Sequence, residues 1–269
     1  MSLALIAGQG RLPALVVAAA RPARVLAMEG SAPDTVAPDT VFPLERLGSV
    51  LAGLKADGIS RICLAGAVRR PGFDPARLDV ATRPLVPRLT DAMVQGDDAA
   101  LRALMAIFED AGLTPVAAQD LVPDLCPPPG PLGACAPDDS ARSDIARGLD
   151  ALSIMGAADV GQGCVVARGQ VLAVEALPGT DWMLRSMAAL RGPGDLACPA
   201  PAGGVLVKAA KPGQDRRADL PAIGPETVEL AAAAGLCGIA VEAGGVMVLD
   251  PPELIRAADA AGLFVVVVA

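Results

Sequence analysis

Apolar runs and helical periods alternate along the first half of the chain. Leu3–Ala7 is a continuous apolar run typical of a buried strand, and Leu12–Ala20 is a helical run that Pro13 can start. The same alternation continues through three segments: a strand at Val25–Met28, a helix at Leu47–Ala56 and a strand at Ile59–Ala65. Because strands that alternate with helices favour a parallel sheet, we predict a Rossmann-like N-terminal domain over residues 1–125.

The second half combines a hairpin with further strands and helices. Five prolines within residues 126–139 exclude a helix and leave few backbone donors for a sheet, so we predict a Pro-rich domain linker there. Ser140 is expected to cap the next helix. Gly163–Leu177 predicts a hairpin that turns at Arg168-Gly169. The sequence thus predicts an α/β fold of two domains, the second covering residues 140–269 with a mixed sheet.

Composition narrows the classes of function. The 269 residues are 53% hydrophobic but only 2% aromatic, and a net charge of −8 lacks the basic surface expected of a nucleic-acid-binding protein. The absence of His and Tyr excludes Ser-His-Asp catalysis and histidine zinc sites, so carboxylates and metal-bound water remain. The six Cys form no C-x-x-C pair, which indicates core thiols in a reducing cytosol. No signal peptide is predicted, because Gln9, Arg11 and Pro13 interrupt the apolar N-terminus.

One loop, Lys211 to Gly224, concentrates charge between a strand-like and a helix-like run. Its polar side chains include Lys211, Gln214, Asp215, Arg216, Arg217 and Asp219. Lys and Arg can bind phosphate oxygens, and Asp can bind a hard cation, so this mixture suits a phosphate held together with a divalent metal. A solvated surface turn is the alternative.

Glycines after the first predicted strand form a second candidate site. Gly8-Gln9-Gly10 precedes a helix and Glu29 follows the second strand, an arrangement typical of dinucleotide-binding folds. Pro13 stands where that motif has its third glycine. Three interpretations therefore stay open: NAD or FAD binding, a contact with phosphate or sugar, and a tight structural turn.

Further polar residues lie at the ends of predicted elements. Arg69 and Arg70 follow the third strand, where an anion could bind. Asp97 and Asp98 begin a helix, and they could cap it or face a cation. The two ends of the hairpin are flanked by Gln162, Glu175, Thr180 and Asp181. For Thr180 and Asp181 the alternative is an ordinary role in the first turn of a helix.

Six ordered segments together carry a family resemblance: AGQGRLP, AGAVRRP, QGDDAALR, DVGQG, VEALPGTD and KPGQDRRADLPAIGPET. In this order the chain resembles the LpxI family of UDP-2,3-diacylglucosamine pyrophosphatases, which serve lipid A biosynthesis. The resemblance covers both predicted domains. It implies metal-dependent hydrolysis of the substrate's pyrophosphate to UMP and 2,3-diacylglucosamine 1-phosphate (lipid X), with the C-terminal domain catalytic.

The resemblance also implies residue roles. It assigns catalysis to Lys211, Gln214, Arg217 and, as the leading acid, Asp219, while Asp215 and Arg216 are expected to face solvent. Asp219, Asp97 and Asp98 are implied as ligands of Mg²⁺ or Mn²⁺. The other matching segments imply substrate contacts by Gly8, Gln9, Gly10, Arg70, Gln162, Glu175, Thr180 and Asp181.

The implied partners follow from a lipid-linked substrate. We expect a cytoplasmic protein that contacts the inner-leaflet membrane surface peripherally, binds UDP-diacylglucosamine and binds no nucleic acid, and a homodimer is compatible with this. Two alternatives are kept: the nicotinamide-dependent oxidoreductase, which depends on Gly8, Gly10 and Glu29, and a non-catalytic lipid or sugar-nucleotide binding protein.

Overall fold

A computed structural model describes residues 2–69, 72–191, 201–217 and 219–269, without the side chains of Gln95, Asp97 and Asp98. The chain forms two compact units. Unit 1 comprises Met1–Pro123 together with Asp215–Asp219, and unit 2 comprises Asp124–Gln214 and Leu220–Ala269. A short piece of the C-terminal half is therefore part of the N-terminal unit.

Unit 1 is built on a parallel sheet. Its strands are β1 (Ser2–Ala7), β2 (Arg24–Met28), β3 (Thr40–Phe42), β4 (Ile59–Ala65) and β5 (Thr114–Pro115). Its helices are α1 (Leu12–Ala20), α2 (Leu47–Ala56), α3 (Val86–Gln95), α4 (Asp97–Asp110) and α5 (Ala118–Leu121). Among the described residues the strand order is β3-β2-β1-β4-β5, and every adjacent pair is parallel. This is the Rossmann-like arrangement that the alternating pattern predicted.

The core of unit 1 explains why its strands read as continuous apolar runs. Helices cover the sheet, so inner strands such as β1 bury both faces, and Leu5 and Ile62 are almost fully buried. Phe108 of α4 packs into the same core and is fully buried. Strand β3 was not predicted, because its three residues pair only with β2 and show no period of their own.

Unit 2 contains a mixed sheet. Its strands are β6 (Gly130–Pro131), β7 (Gly163–Ala167), β8 (Gln170–Val174), β9 (Val205–Lys208), β10 (Ala222–Ile223), β11 (Gly238–Glu242), β12 (Met247–Val248) and β13 (Phe264–Val268). Its helices are α6 (Asp139–Ala157), α7 (Gly179–Arg191), α8 (Pro225–Ala233) and α9 (Pro251–Ala261). The described main sheet has the order β6-β13-β11-β9-β7-β8, with β9, β11 and β13 parallel and the others antiparallel. The predicted mixed sheet and the hairpin turn are confirmed.

Two local expectations in unit 2 were wrong. The side chain of Asp138, rather than that of Ser140, caps α6, since its Oδ1 accepts a hydrogen bond of 2.8 Å from Ala141 N. The Pro-rich stretch also supplies a strand, because Gly130–Pro131 pairs with Val266 and Val267 at the sheet edge, where proline is tolerated. None of the helices described is both long and apolar enough to cross a membrane.

Candidate functional site

An apolar cavity of about 370 Å³ lies in unit 1 at the carboxyl ends of its strands. Strand residues such as Met28, Phe42 and Ala65 form its floor, and Leu89 of α3 and Leu104 of α4 contribute to the walls. Ligands of open parallel sheets bind at this edge. The cavity therefore has the position of a binding site and the lining of a site for an apolar ligand.

Among the described residues, two charged ones line this apolar cavity, Arg69 and Asp219. Arg69 follows β4, and its N–H donates a hydrogen bond of 2.9 Å to Ser31 Oγ. Asp219 comes from the far end of the sequence and is exposed. The predicted catalytic acid and one of the predicted anion-binding arginines thus line the same cavity, although 150 residues separate them in the sequence.

The segment that carries Asp219 is held by a charged network. Arg217 forms a two-pronged pair with Asp215, with Nε 3.0 Å from Oδ1 and Nη2 2.7 Å from Oδ2. Arg217 Nη1 also donates a hydrogen bond of 2.6 Å to Oε1 of Glu109 in α4. In addition, Gln119 Nε2 donates a hydrogen bond of 2.9 Å to the carbonyl of Arg216. These contacts hold the residues just ahead of Asp219 on unit 1.

This network corrects one expectation about the loop. The Asp215 side chain is 17% exposed and does not face solvent freely, whereas Arg216 is exposed as predicted. Hydrogen bonds from Arg217 hold the pKa of the Asp215 carboxyl below its usual range, and the same pairing raises the pKa of the Arg217 guanidinium. Both groups are therefore charged at neutral pH, and their pairing shapes the loop.

The turn Gly8–Gly10 uses its backbone donors within unit 1. Its three N–H groups donate to Ala65 O, Ala67 O and Asp34 Oδ1, at 2.8, 2.9 and 3.0 Å. Glycine is required at position 8, since a Cβ there would lie 2.4 Å from Ala67 O. A dinucleotide fold needs such donors for its pyrophosphate, so this geometry disfavours the nicotinamide alternative. The Gln9 side chain remains the predicted ligand contact of this turn.

Unit 2 gathers polar side chains around a buried lysine at the end of β9. Lys208 is 4% exposed, and its Nζ donates a hydrogen bond of 2.6 Å to Thr180 Oγ1. Glu175 Oε2 lies 3.5 Å from the same Nζ. Two predicted site residues therefore meet at a residue that the sequence reasoning did not single out. The available signal was one cation inside the otherwise apolar run Val205–Ala210.

The other predicted residues of unit 2 have ordinary local partners. Lys211 Nζ lies 2.6 Å from Asp159 Oδ1, and Lys211 N donates a hydrogen bond of 3.1 Å to Gln214 Oε1. Gln162 is half-buried and its carbonyl accepts a hydrogen bond from Ala209 N. Asp181 is exposed in the first turn of α7, 4.0 Å from Arg185. Lys211 and Gln214 thus belong to unit 2, while Arg217 and Asp219 belong to unit 1.

The similarity of this chain to known proteins extends over almost its whole length. The model of the LpxI N-terminal domain matches residues 2–125, and that of the LpxI C-terminal domain matches residues 128–266. The chain belongs to the LpxI family. It is also 39% identical over 273 residues to the UDP-2,3-diacylglucosamine pyrophosphatase LpxI of Caulobacter vibrioides, covering 98% of this chain and 96% of that protein. The family resemblance seen in the six sequence segments is confirmed.

The side chains of this protein can be compared with the ligands that a divalent metal ion requires. The described residues contain no group of three or more His, Cys, Asp or Glu side chains that could hold a metal ion. Arg70 and the side chains of Asp97 and Asp98 lie outside the described residues. Mg²⁺ usually takes one or two carboxylates and completes its shell with water and substrate phosphate oxygens. Asp219 beside an anionic substrate fits that mode of binding.

Proposed function

We propose that this protein hydrolyses the pyrophosphate of UDP-2,3-diacylglucosamine to UMP and 2,3-diacylglucosamine 1-phosphate (lipid X), a step of lipid A biosynthesis. Water attacks one phosphorus, the bond from that phosphorus to the bridging oxygen breaks, and the other phosphate leaves with the bridging oxygen. The attacked phosphate keeps the oxygen of the water, and the two protons of the water pass to the phosphate products or to solvent. Membership of the LpxI family and the activity named for the Caulobacter relative support this proposal. The observation that carries it is that Asp219 and Arg69 both line one apolar cavity.

The apolar cavity suits the acyl chains of such a substrate. Each methylene that leaves water contributes about 0.8 kcal/mol to binding, so an apolar wall retains a long chain without polar contacts. Leu89, Leu101 and Leu104 provide that wall. The lipid end would then occupy the cavity while the charged pyrophosphate stays where Arg69 and Asp219 line it.

Asp219 and Arg69 have different roles at the pyrophosphate. The Asp219 carboxylate accepts a hydrogen bond from the attacking water and orients it, because the chain has no histidine for this role. Arg69 donates hydrogen bonds to phosphate oxygens, whose charge grows during attack. Arg217 acts indirectly, by holding the segment ahead of Asp219 through Asp215 and Glu109. Lys211 and Gln214 stay predicted contacts.

We further propose that the reaction uses Mg²⁺ or Mn²⁺, with Asp219, Asp97 and Asp98 as the residues that would hold it. A bound divalent ion would neutralise negative charge on the phosphate oxygens. Asp219 is an acid in the lining of the proposed site and the pyrophosphate is an anion, so a bound cation would also reduce the repulsion between them.

A lipid substrate also requires access to a membrane surface. We propose a cytoplasmic protein that contacts the inner membrane peripherally. Val68 lines the cavity and is 43% exposed, so an apolar side chain lies on the surface beside the proposed lipid site. A homodimer stays a prediction.

The proposal is tested by UMP release from UDP-2,3-diacylglucosamine with Mg²⁺, with Mn²⁺ and with a chelator. Asp219→Asn should lower kcat by about 10²- to 10⁴-fold, the usual contribution of a positioned acid or base, and leave circular dichroism unchanged. Glu229→Ala, an exposed position of α8, is the control and should retain wild-type turnover. Wild-type binding of the substrate without UMP release would instead support the non-catalytic binding protein.

A further inference from the structure

A second cavity, of about 380 Å³, lies in unit 1, and we call it the polar cavity because charged side chains form part of its wall. Its described lining includes three acids and one cation, Glu29, Glu45, Asp74 and Arg77, with Phe73 as an aromatic wall. Leu44 lines both this cavity and the apolar one. The mixed charge suits a ligand with several hydroxyl groups better than a simple anion or an acyl chain.

Glu29 stands at the carboxyl end of β2, and its backbone joins the ends of two strands. Glu29 N donates a hydrogen bond of 2.8 Å to Phe42 O, the last residue of β3. In a parallel sheet with this strand order, an acid at the end of the second strand typically accepts hydrogen bonds from ribose hydroxyls. The position of Glu29 therefore matches a sugar-diol acceptor even though the turn Gly8–Gly10 does not offer its donors to a pyrophosphate.

A chain of contacts orients the Glu29 carboxylate. Buried Glu45 accepts a hydrogen bond of 2.5 Å from Asp74 N, and Asp74 Oδ1 accepts one of 2.9 Å from Ala76 N. This shapes the short turn that ends at Arg77, whose Nη2 lies 2.6 Å from Glu29 Oε2. Because a carboxylate has about four lone-pair positions, Glu29 keeps acceptor capacity for a ligand after pairing with Arg77.

The polar cavity also connects to the proposed reaction site. Ser31 follows Gly30, which lines the polar cavity, and its hydroxyl accepts the 2.9 Å hydrogen bond from Arg69 N. Arg69 in turn lines the apolar cavity together with Asp219. One molecule with an acyl end, a central pyrophosphate and a sugar diol could thus occupy both cavities within unit 1.

We propose that the polar cavity binds the ribose of the uridine nucleotide, with the Glu29 carboxylate accepting hydrogen bonds from the 2′- and 3′-hydroxyls and Arg77 positioning Glu29. Phe73 provides an apolar wall for the base. This inference deepens the proposed function and rests on it for the identity of the nucleotide. A cation is a poorer occupant, because Arg77 lies among the acids and the described residues form no metal-binding group.

The test compares calorimetric binding of UMP with that of 2′,3′-dideoxy-UMP. Loss of hydrogen bonds to a charged acceptor should weaken wild-type binding of the dideoxy nucleotide about tenfold or more. Glu29→Ala should abolish this preference, and it should raise KM for UDP-2,3-diacylglucosamine by a similar factor with kcat nearly unchanged. Glu29 is half-exposed and its ion pair lies at the surface, so the variant should fold normally.

Equal wild-type affinity for the two nucleotides, or an unchanged preference in Glu29→Ala, would overturn the inference. Glu229→Ala serves as the matched control and should keep both the preference and the KM. Binding is measured without turnover, so the two proposals fail separately. Wild-type protein that prefers UMP but releases none from the lipid substrate would support the ribose site and refute the pyrophosphatase activity.

Discussion

Replacement of Lys208 by Met is expected to destabilise unit 2 strongly. Met retains most of the side-chain volume and apolar length, so the change removes mainly the ammonium group. That group donates the 2.6 Å hydrogen bond to Thr180 Oγ1 and lies 3.5 Å from Glu175 Oε2. In the variant the Glu175 carboxylate would stay largely buried beside an apolar side chain.

The magnitude follows from burial and distance. The side chains of Lys208 and Glu175 are 5% and 16% exposed. At 3.5 Å, an effective dielectric constant of about 20 gives a gross attraction of about 5 kcal/mol, which desolvation of both charges largely offsets. Removal of one partner of a buried pair nevertheless costs about 3 to 5 kcal/mol, because the other charge remains. Since water reaches Glu175 partly, we expect about 3 kcal/mol.

Urea unfolding measures this effect in the relevant unit. Trp182, the single tryptophan, lies in α7, so its fluorescence reports on unit 2. A loss of about 3 kcal/mol should lower the urea midpoint by about 1 to 2 M at typical slopes. Arg256→Met, at an exposed position of α9 in unit 2, is the control and should leave the midpoint nearly unchanged.

A double variant separates charge from packing. Glu175→Gln combined with Lys208→Met removes the orphaned carboxylate and should recover at least about half of the lost stability. Two results would refute the reasoning: an unchanged midpoint in Lys208→Met, or a double variant that is less stable than the sum of the two single changes.

Three further outcomes are expected. Burial raises the pKa of the Cys63 and Cys164 thiols to about 12, so a maleimide at about pH 8 should label neither thiol in the folded protein. The urea midpoint of unfolding should also fall as pH rises from about 8.5 towards 12, because the thiols of the unfolded chain lose their protons at a lower pH than those of the folded protein. Mass spectrometry that finds either thiol labelled rapidly would contradict this. Ala100→Phe fills part of the apolar cavity and should raise KM for a long-acyl substrate about tenfold while leaving kcat for a short-acyl analogue unchanged. Glu109→Gln removes an exposed partner of Arg217 and should lower kcat about two- to fivefold without changing the unfolding midpoint, and equal kcat would exclude a positioning role.

The regular elements could be predicted where periodicity and boundary residues agree. The expected limits of α1, α2 and β4 are those of the structure, because each combines a clear apolar period or run with a Pro start or a Gly end. Short strands escaped prediction for a physical reason. Strand β10, with two residues, is defined by its pairing with β12, and a pairing partner distant in sequence leaves no local pattern.

The sequence predicted which residues belong to the candidate site, but not which tertiary contacts hold them in place. Charge density selected the loop that contains Asp219, but it could not indicate that Arg217 pairs with Glu109, 108 residues away, or that Gln119 binds the loop backbone from 97 residues away. Such partners depend on tertiary packing, for which the local sequence carries no signal. Much of the charge that suggested phosphate binding is therefore used to hold the segment in place. The predicted chemistry then depends on fewer groups than the sequence suggested: Asp219 supplied by the held segment, and Arg69 supplied by the end of β4.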